Sequence, residues 1–98
     1  MTNIQKEHEL FFNTYKRLPL EIERGEGCYL FSTDGKKYLD LFGGLAVNSL
    51  GYLHPKIISA IEQQIRKYNH LSNTFLQEQQ IKLAEILLQQ SGYQKIFF

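Results

Sequence analysis

Lysine amines, histidine rings, serine hydroxyls and the single thiol of Cys28 are the groups in this 98-residue chain that could form or break covalent bonds. A lysine that attacks a carbonyl must hold a free amine near neutrality, which takes burial or crowding by other cations. Lys36 and Lys37 stand at a turn, Lys6, Lys16, Lys56, Lys67 and Lys82 sit among polar neighbours, and Lys95 borders the last apolar run. All of them read as solvated surface amines. His8, His54 and His70 share no metal-ligand spacing with Cys28 or with one another, so no metal site is expected. Ser32, Ser49, Ser59, Ser72 and Ser91 have no base arranged beside them that would activate a hydroxyl. Gly25-Glu26-Gly27 opens like a dinucleotide-binding turn, but Leu30 occupies the third glycine position and no helix follows. Function is therefore expected in two connections. One is the loop that begins at Gly43 and carries Leu45, Ala46, Val47, Leu50 and Leu53, more apolar side chains than a solvated connection displays. The other is Ser72-Asn73-Thr74-Phe75.

Alternation and turn residues set the framework that must hold these connections. Leu20-Glu21-Ile22-Glu23-Arg24 alternates with period two, as a half-buried strand does. Gly25-Glu26-Gly27 is expected to break it, residues 28–32 resume it, and residues 37–42 supply a third strand after Thr33-Asp34-Gly35. Asp34-Gly35 between runs of Tyr, Leu and Phe signals a hairpin, because glycine accepts the positive φ that such turns demand. A three-stranded antiparallel sheet this small needs an apolar cover.

Residues 4–14 predict a short helix before the sheet. Pro55 suits the first position of a longer one, where its missing N–H costs nothing. Ile57, Ile61, Ile65 and Tyr68 then recur at helical spacing with Ile58 beside them, opposite Lys56, Glu62, Arg66 and Lys67. Glu62 and Arg66 are spaced to pair across one turn. A further helix is expected over residues 76–90, ended by Ser91-Gly92. Lys95-Ile96-Phe97-Phe98 reads as the start of a buried strand whose sheet is absent, so the chain is expected to be a fragment. The fold class as read is α+β.

Hydrophobic residues at 43% and charged residues at 21% are ordinary for a globular chain, and the length allows one small domain at most. A net charge of +1, with both signs mixed along the chain, argues against a nucleic-acid surface. No apolar run approaches the roughly 18 residues of a membrane span. The polar N-terminus and the lone Cys28, which reads as a small strand filler, lead to a cytoplasmic expectation.

The stretch RGEGCYLFSTDGKKYLDLFGGLAVNSLGYLHP, residues 24–55, resembles the N-terminal signature of class III pyridoxal-phosphate-dependent aminotransferases, and most the acetylornithine and ornithine branch. The resemblance runs from residue 15 to residue 98, through His70-Leu71-Ser72-Asn73-Thr74-Phe75 and Lys95-Ile96-Phe97-Phe98. It implies the N-terminal portion of the fold-type-I (α/β) architecture. Residues 1–75 would form part of the small domain, with an interface loop over 43–54, and residues 76–98 would begin the large cofactor domain. It implies pyridoxal 5'-phosphate as cofactor, with the aldimine lysine beyond residue 98 and the phosphate-binding turn directly after Phe98, so that no catalytic or cofactor-binding residue falls in this chain. It implies transfer of the terminal amino group of N-acetylornithine, or of ornithine, succinylornithine or 4-aminobutyrate, to 2-oxoglutarate, in an arginine-biosynthesis-like step within a homodimer. By the same resemblance Leu45, Val47, Asn48, Asn73 and Phe75 either line the substrate pocket or pack the loops against the rest of the enzyme and the second subunit. Leu45, where other members carry an aromatic, leans toward the acetylornithine-like branch. The alternative from another class is a non-catalytic truncated polypeptide or dimerising module.

Overall fold

The computed structural model describes residues 2–98, which divide into two compact units, the first ending at Ala60 and the second running Ile61–Phe98. The first opens with helix α1 (Asn3–Leu10), started by a reciprocal cap in which Thr2 Oγ1 accepts from Gln5 N and Gln5 Oε1 accepts from Thr2 N. The helix stops at Leu10, short of the expected residue 14. Phe11 turns extended, and Thr14 N–H bonds the Phe12 carbonyl at 2.8 Å. The two aromatics lose side-chain freedom in a helix, and that local turn competes with its continuation.

Three antiparallel strands follow in the order β1 (Ile22–Glu26), β2 (Tyr29–Ser32) and β3 (Lys37–Leu39). Two boundaries differ from expectation. Gly25 and Glu26 do not break β1 but belong to it, pairing with Leu30 and Tyr29. The reversal falls at Gly27-Cys28, where Gly27 supplies φ +57°. The third strand ends at Leu39 rather than at residue 42, because the Asp40 carboxylate bends the chain by accepting from the Phe42 and Gly43 N–H groups. Arg24, Phe31 and Lys37 form one cross-strand row, with the Arg24 guanidinium 3.7 Å from the Phe31 ring centre and Lys37 Nζ 3.8 Å from that of Tyr29. Gly25, Leu30 and Tyr38 form the row on the opposite face.

The Asp34-Gly35 turn forms as expected, with Gly35 at φ +81° and its N–H on the Ser32 carbonyl. Among the described residues Ser32 is the one buried polar residue, and its hydroxyl bonds the Asp34 carboxylate. Lys36 Nζ lies 2.8 Å from the same carboxylate.

Gly43–Ala46 (α2) is a single short turn whose four residues all have φ between +55° and +66°. Helix α3 (Pro55–Ile65) starts at Pro55, with the His54 carbonyl accepting from Ile57 and Ile58. It ends before Tyr68, whose N–H and that of Lys67 both fold back onto the Gln64 carbonyl. Arg66 therefore lies outside the helix, and the expected Glu62–Arg66 ion pair is not formed. The pair at that spacing is Glu78–Lys82, at 2.6 Å in the second unit. There α4 (Glu78–Ser91) ends on Gly92, left-handed at φ +74°, as its position foretold. Lys95-Ile96-Phe97-Phe98 has no ladder partner among the described residues, so the expected strand is not formed.

Among the described residues no hydrophobic side chain is buried. The chain exposes 9316 Å², against roughly 5,800 Å² for a folded monomer of its mass. Ile57, Ile61 and Ile65 of the α3 stripe, and Ile81, Leu83 and Ile86 of α4, all face solvent.

Lys36 first, then the Ser32 hydroxyl, hold the Asp34 carboxyl at about 2 against an ordinary 3.8. A carboxyl depressed on folding contributes stability that is complete above its unfolded value and lost as pH falls through the folded one. A carbon-13 NMR titration should therefore place the Asp34 midpoint near 2. Lys36→Met should move it up toward 3.8.

Candidate functional site

The first unit gathers its polar groups where β3 gives way to the apolar loop. Asp40 N–H is held by the Cys28 carbonyl at 2.9 Å, which fixes the residue beside the β1–β2 turn. Its Oδ1 accepts from Phe42 N at 2.9 Å and Gly43 N at 3.1 Å, and its Oδ2 accepts from the Tyr52 hydroxyl at 2.5 Å. Tyr52 returns the chain to the same turn, exchanging backbone bonds with Gly27 at 3.0 and 2.7 Å. Its ring lies flat on Gly25, where a Cβ would come within 2.5 Å of Cγ.

These bonds shift both titrating groups. The Tyr52 hydroxyl, then the Gly43 N–H, hold the Asp40 carboxyl below the usual range. Asp40, then burial, raises the Tyr52 phenol, while a bond from Asn48 acts the other way.

Between these anchors, and again just past Tyr52, the backbone is strained. Leu45 at φ +60°, Ala46 at +65° and Leu53 at +59° occupy the left-handed region that side chains with a Cβ avoid, at about 1–2 kcal/mol each. Such conformations persist only where the surroundings over-determine them. Inside the loop Leu45 and Ala46 N–H bond the Phe42 carbonyl, and Asn48 N–H bonds that of Gly43 at 2.8 Å. The loop and the start of α3 enclose a cavity of about 400 Å³, lined by Val47, Asn48, Leu50, Tyr52, His54 and Ile58 among others. Its wall is mostly apolar, with the Asn48 amide and the buried, unpartnered His54 Nδ1 among its polar groups. Such a lining suits an aliphatic portion of a ligand held by few hydrogen bonds.

Of the expected site residues, Val47 and Asn48 share this cavity, and Leu45 stands 82% exposed on the strained turn. Asn73 and Phe75 belong to the second unit, where Asn73 Nδ2 faces the Phe98 carbonyl at 3.5 Å and its Oδ1 accepts from Gln80. Phe75 is 61% exposed. Asp40 and Tyr52 were not anticipated from the sequence. Their signal was an Asp three residues ahead of a Gly-Gly pair, a position from which this side chain bonds the backbone N–H groups two and three residues on.

No lysine of the described chain offers the buried amine that would favour covalent capture of a carbonyl group. Every lysine is exposed. Lys36 is raised by Asp34, the opposite of what a nucleophilic amine requires. No group of three or more His, Cys, Asp and Glu among the described residues could hold a metal, and no helix is long and apolar enough to cross a membrane.

The family described as aminotransferase class-III matches residues 11–98. Acetylornithine aminotransferase of Agrobacterium fabrum is 46% identical over 87 residues, covering 89% of this chain and 22% of that protein. That of Brucella melitensis biotype 1 is 41% identical over 98 residues, all of this chain and 24% of its own. The crystal structure of acetylornithine aminotransferase from Elizabethkingia anophelis superposes with a TM-score of 0.88 at 28% identity, over 95% of this chain and 24% of that one. The chain thus spans about a quarter or less of the length of the relatives it matches.

Three glycines separate the causes of strain at the site. A Cβ at position 51 would lie 2.6 Å from the Gly27 carbonyl oxygen at φ +77°, so Gly51→Ala should cost the most, about 3 kcal/mol. Gly25→Ala must displace the Tyr52 ring and should cost about 2 kcal/mol. Gly27→Ala meets open space and should cost about 1 kcal/mol from its positive φ alone. Thermal denaturation of the protein carrying each change checks the order.

Proposed function

The chain belongs to the class-III aminotransferases, and from that premise we propose that the protein moves the terminal amino group of N-acetylornithine, or of a similar ω-amino donor, to 2-oxoglutarate. Pyridoxal 5'-phosphate would be the carrier and arginine biosynthesis the setting, in a cytoplasmic homodimer. The observation that carries this reading is the similarity to acetylornithine aminotransferases over nearly the whole chain.

In this reading the 98 residues supply the approach to the site and not its reacting groups. The lysine that carries the cofactor and the turn that holds its phosphate lie beyond Phe98. Residues 1–75 form part of the small domain, and residues 76–98 begin the large one. Leu45, Val47 and Asn48 from the strained loop, and Asn73 and Phe75 from the second connection, line the donor's path. The mostly apolar cavity beside Asn48 supports this, since an aliphatic ω-amino donor offers methylene groups between its polar ends. The exposed isoleucines of α3 and leucines of α4 support a role inside a larger assembly.

Two measurements test the proposal. The full-length protein, loaded with pyridoxal 5'-phosphate, should form glutamate from 2-oxoglutarate with N-acetylornithine as donor. Failure with N-acetylornithine, ornithine, succinylornithine and 4-aminobutyrate would sink the enzymatic reading and favour a non-catalytic module. The 98 residues alone, mixed with the cofactor and reduced with borohydride, should give no adduct at a single lysine. A stoichiometric adduct at one of them would overturn the placement of that lysine beyond Phe98.

A further inference from the structure

Resting on the aminotransferase reading, we propose that Asp40 and Tyr52 are positioning residues: they clamp the left-handed turn Gly43–Ala46 so that Leu45, Val47 and Asn48 meet the amino donor in one fixed arrangement. Neither acts on the donor itself. Both carboxylate oxygens of Asp40 are engaged, one by the Phe42 and Gly43 N–H groups and the other by the Tyr52 hydroxyl. The Tyr52 ring is occupied against Gly25.

The argument is one of attachment. The bonds from Leu45, Ala46 and Asn48 N–H run to Phe42 and Gly43. They close the turn on itself and do not tie it to the sheet. Leu45 and Ala46, both at positive φ, favour a return to ordinary backbone angles. What opposes that return comes from outside the turn. Asp40 grips its entry, and Tyr52 backs that grip by its hydroxyl bond to Asp40 while its own backbone fixes the chain beyond the exit. Both grips are anchored on the same two residues, since the Cys28 carbonyl takes Asp40 N–H and Gly27 exchanges bonds with Tyr52. A side chain carried on a strained turn loses its aim when the turn relaxes, even though no group touching the donor has changed.

The test uses the full-length holoenzyme with Tyr52→Phe and Asp40→Asn, each alone and combined with Ala46→Gly, which removes part of the strain without adding a contact. In the single variants, hydrogen exchange over residues 43–48 should accelerate about tenfold, and KM for the amino donor should rise about tenfold with kcat within about twofold. The cofactor absorbance should be unchanged. Ala46→Gly should recover most of both effects. Unchanged exchange would overturn the clamp, as would failure of Ala46→Gly to recover KM, because Tyr52 would then act on the donor directly. A wild-type enzyme without transaminase activity would defeat the functional reading, while the exchange comparison would still decide whether the clamp exists.

Discussion

The first unit depends on the two-residue turn at Gly27-Cys28. Its main-chain groups take up Asp40 at the end of the sheet and Tyr52 at the far end of the apolar loop, so two residues twelve positions apart are closed onto one point of the fold. The closure is local and polar. The chain has no buried hydrophobic side chain among its described residues, so these hydrogen bonds, and not a core, hold the loop's shape. Bonds of this kind contribute modestly when exposed to water and more when water is excluded.

What the sequence disclosed, and what it withheld, follows from the range of the forces involved. The Asp34-Gly35 hairpin, the helix beginning at Pro55 and the stop at Gly92 were all legible, because each rests on the preferences of one or two residues. The Gly25-Glu26-Gly27 segment was misread as a break. Gly25 lacks a side chain because Tyr52 lies across it, and a partner twenty-seven residues away leaves no local mark. The left-handed turn was hidden for the same reason: Leu45 and Ala46 carry no preference for positive φ, and only their distant attachments impose it. Val47 and Asn48 were marked as candidates by family resemblance, and the cavity they share is a matter of tertiary geometry.

The exposed helices carry a further meaning. The stripe on α3 is spaced for burial, yet Ile61 and Ile65 are 58% and 62% accessible. A sequence that maintains such a stripe specifies a neighbour as firmly as it specifies its own helix. The chain also shows more surface than a folded monomer of this mass would, and it spans about a quarter or less of its relatives' length.

The cations above Phe31 and Tyr29 give the sheet a direction. Arg24 and Lys37 come from the strands themselves, so that face is finished with the chain's own charge. A body docking there would have to strip two hydrated cations from their rings, at about 0.5–1 kcal/mol each before any contact is gained. The reverse face, with Leu30 and Tyr38 half-covered, sets no such toll. The two faces of the three strands thus differ in kind, one dressed with two of the chain's own cations and the other lacking them.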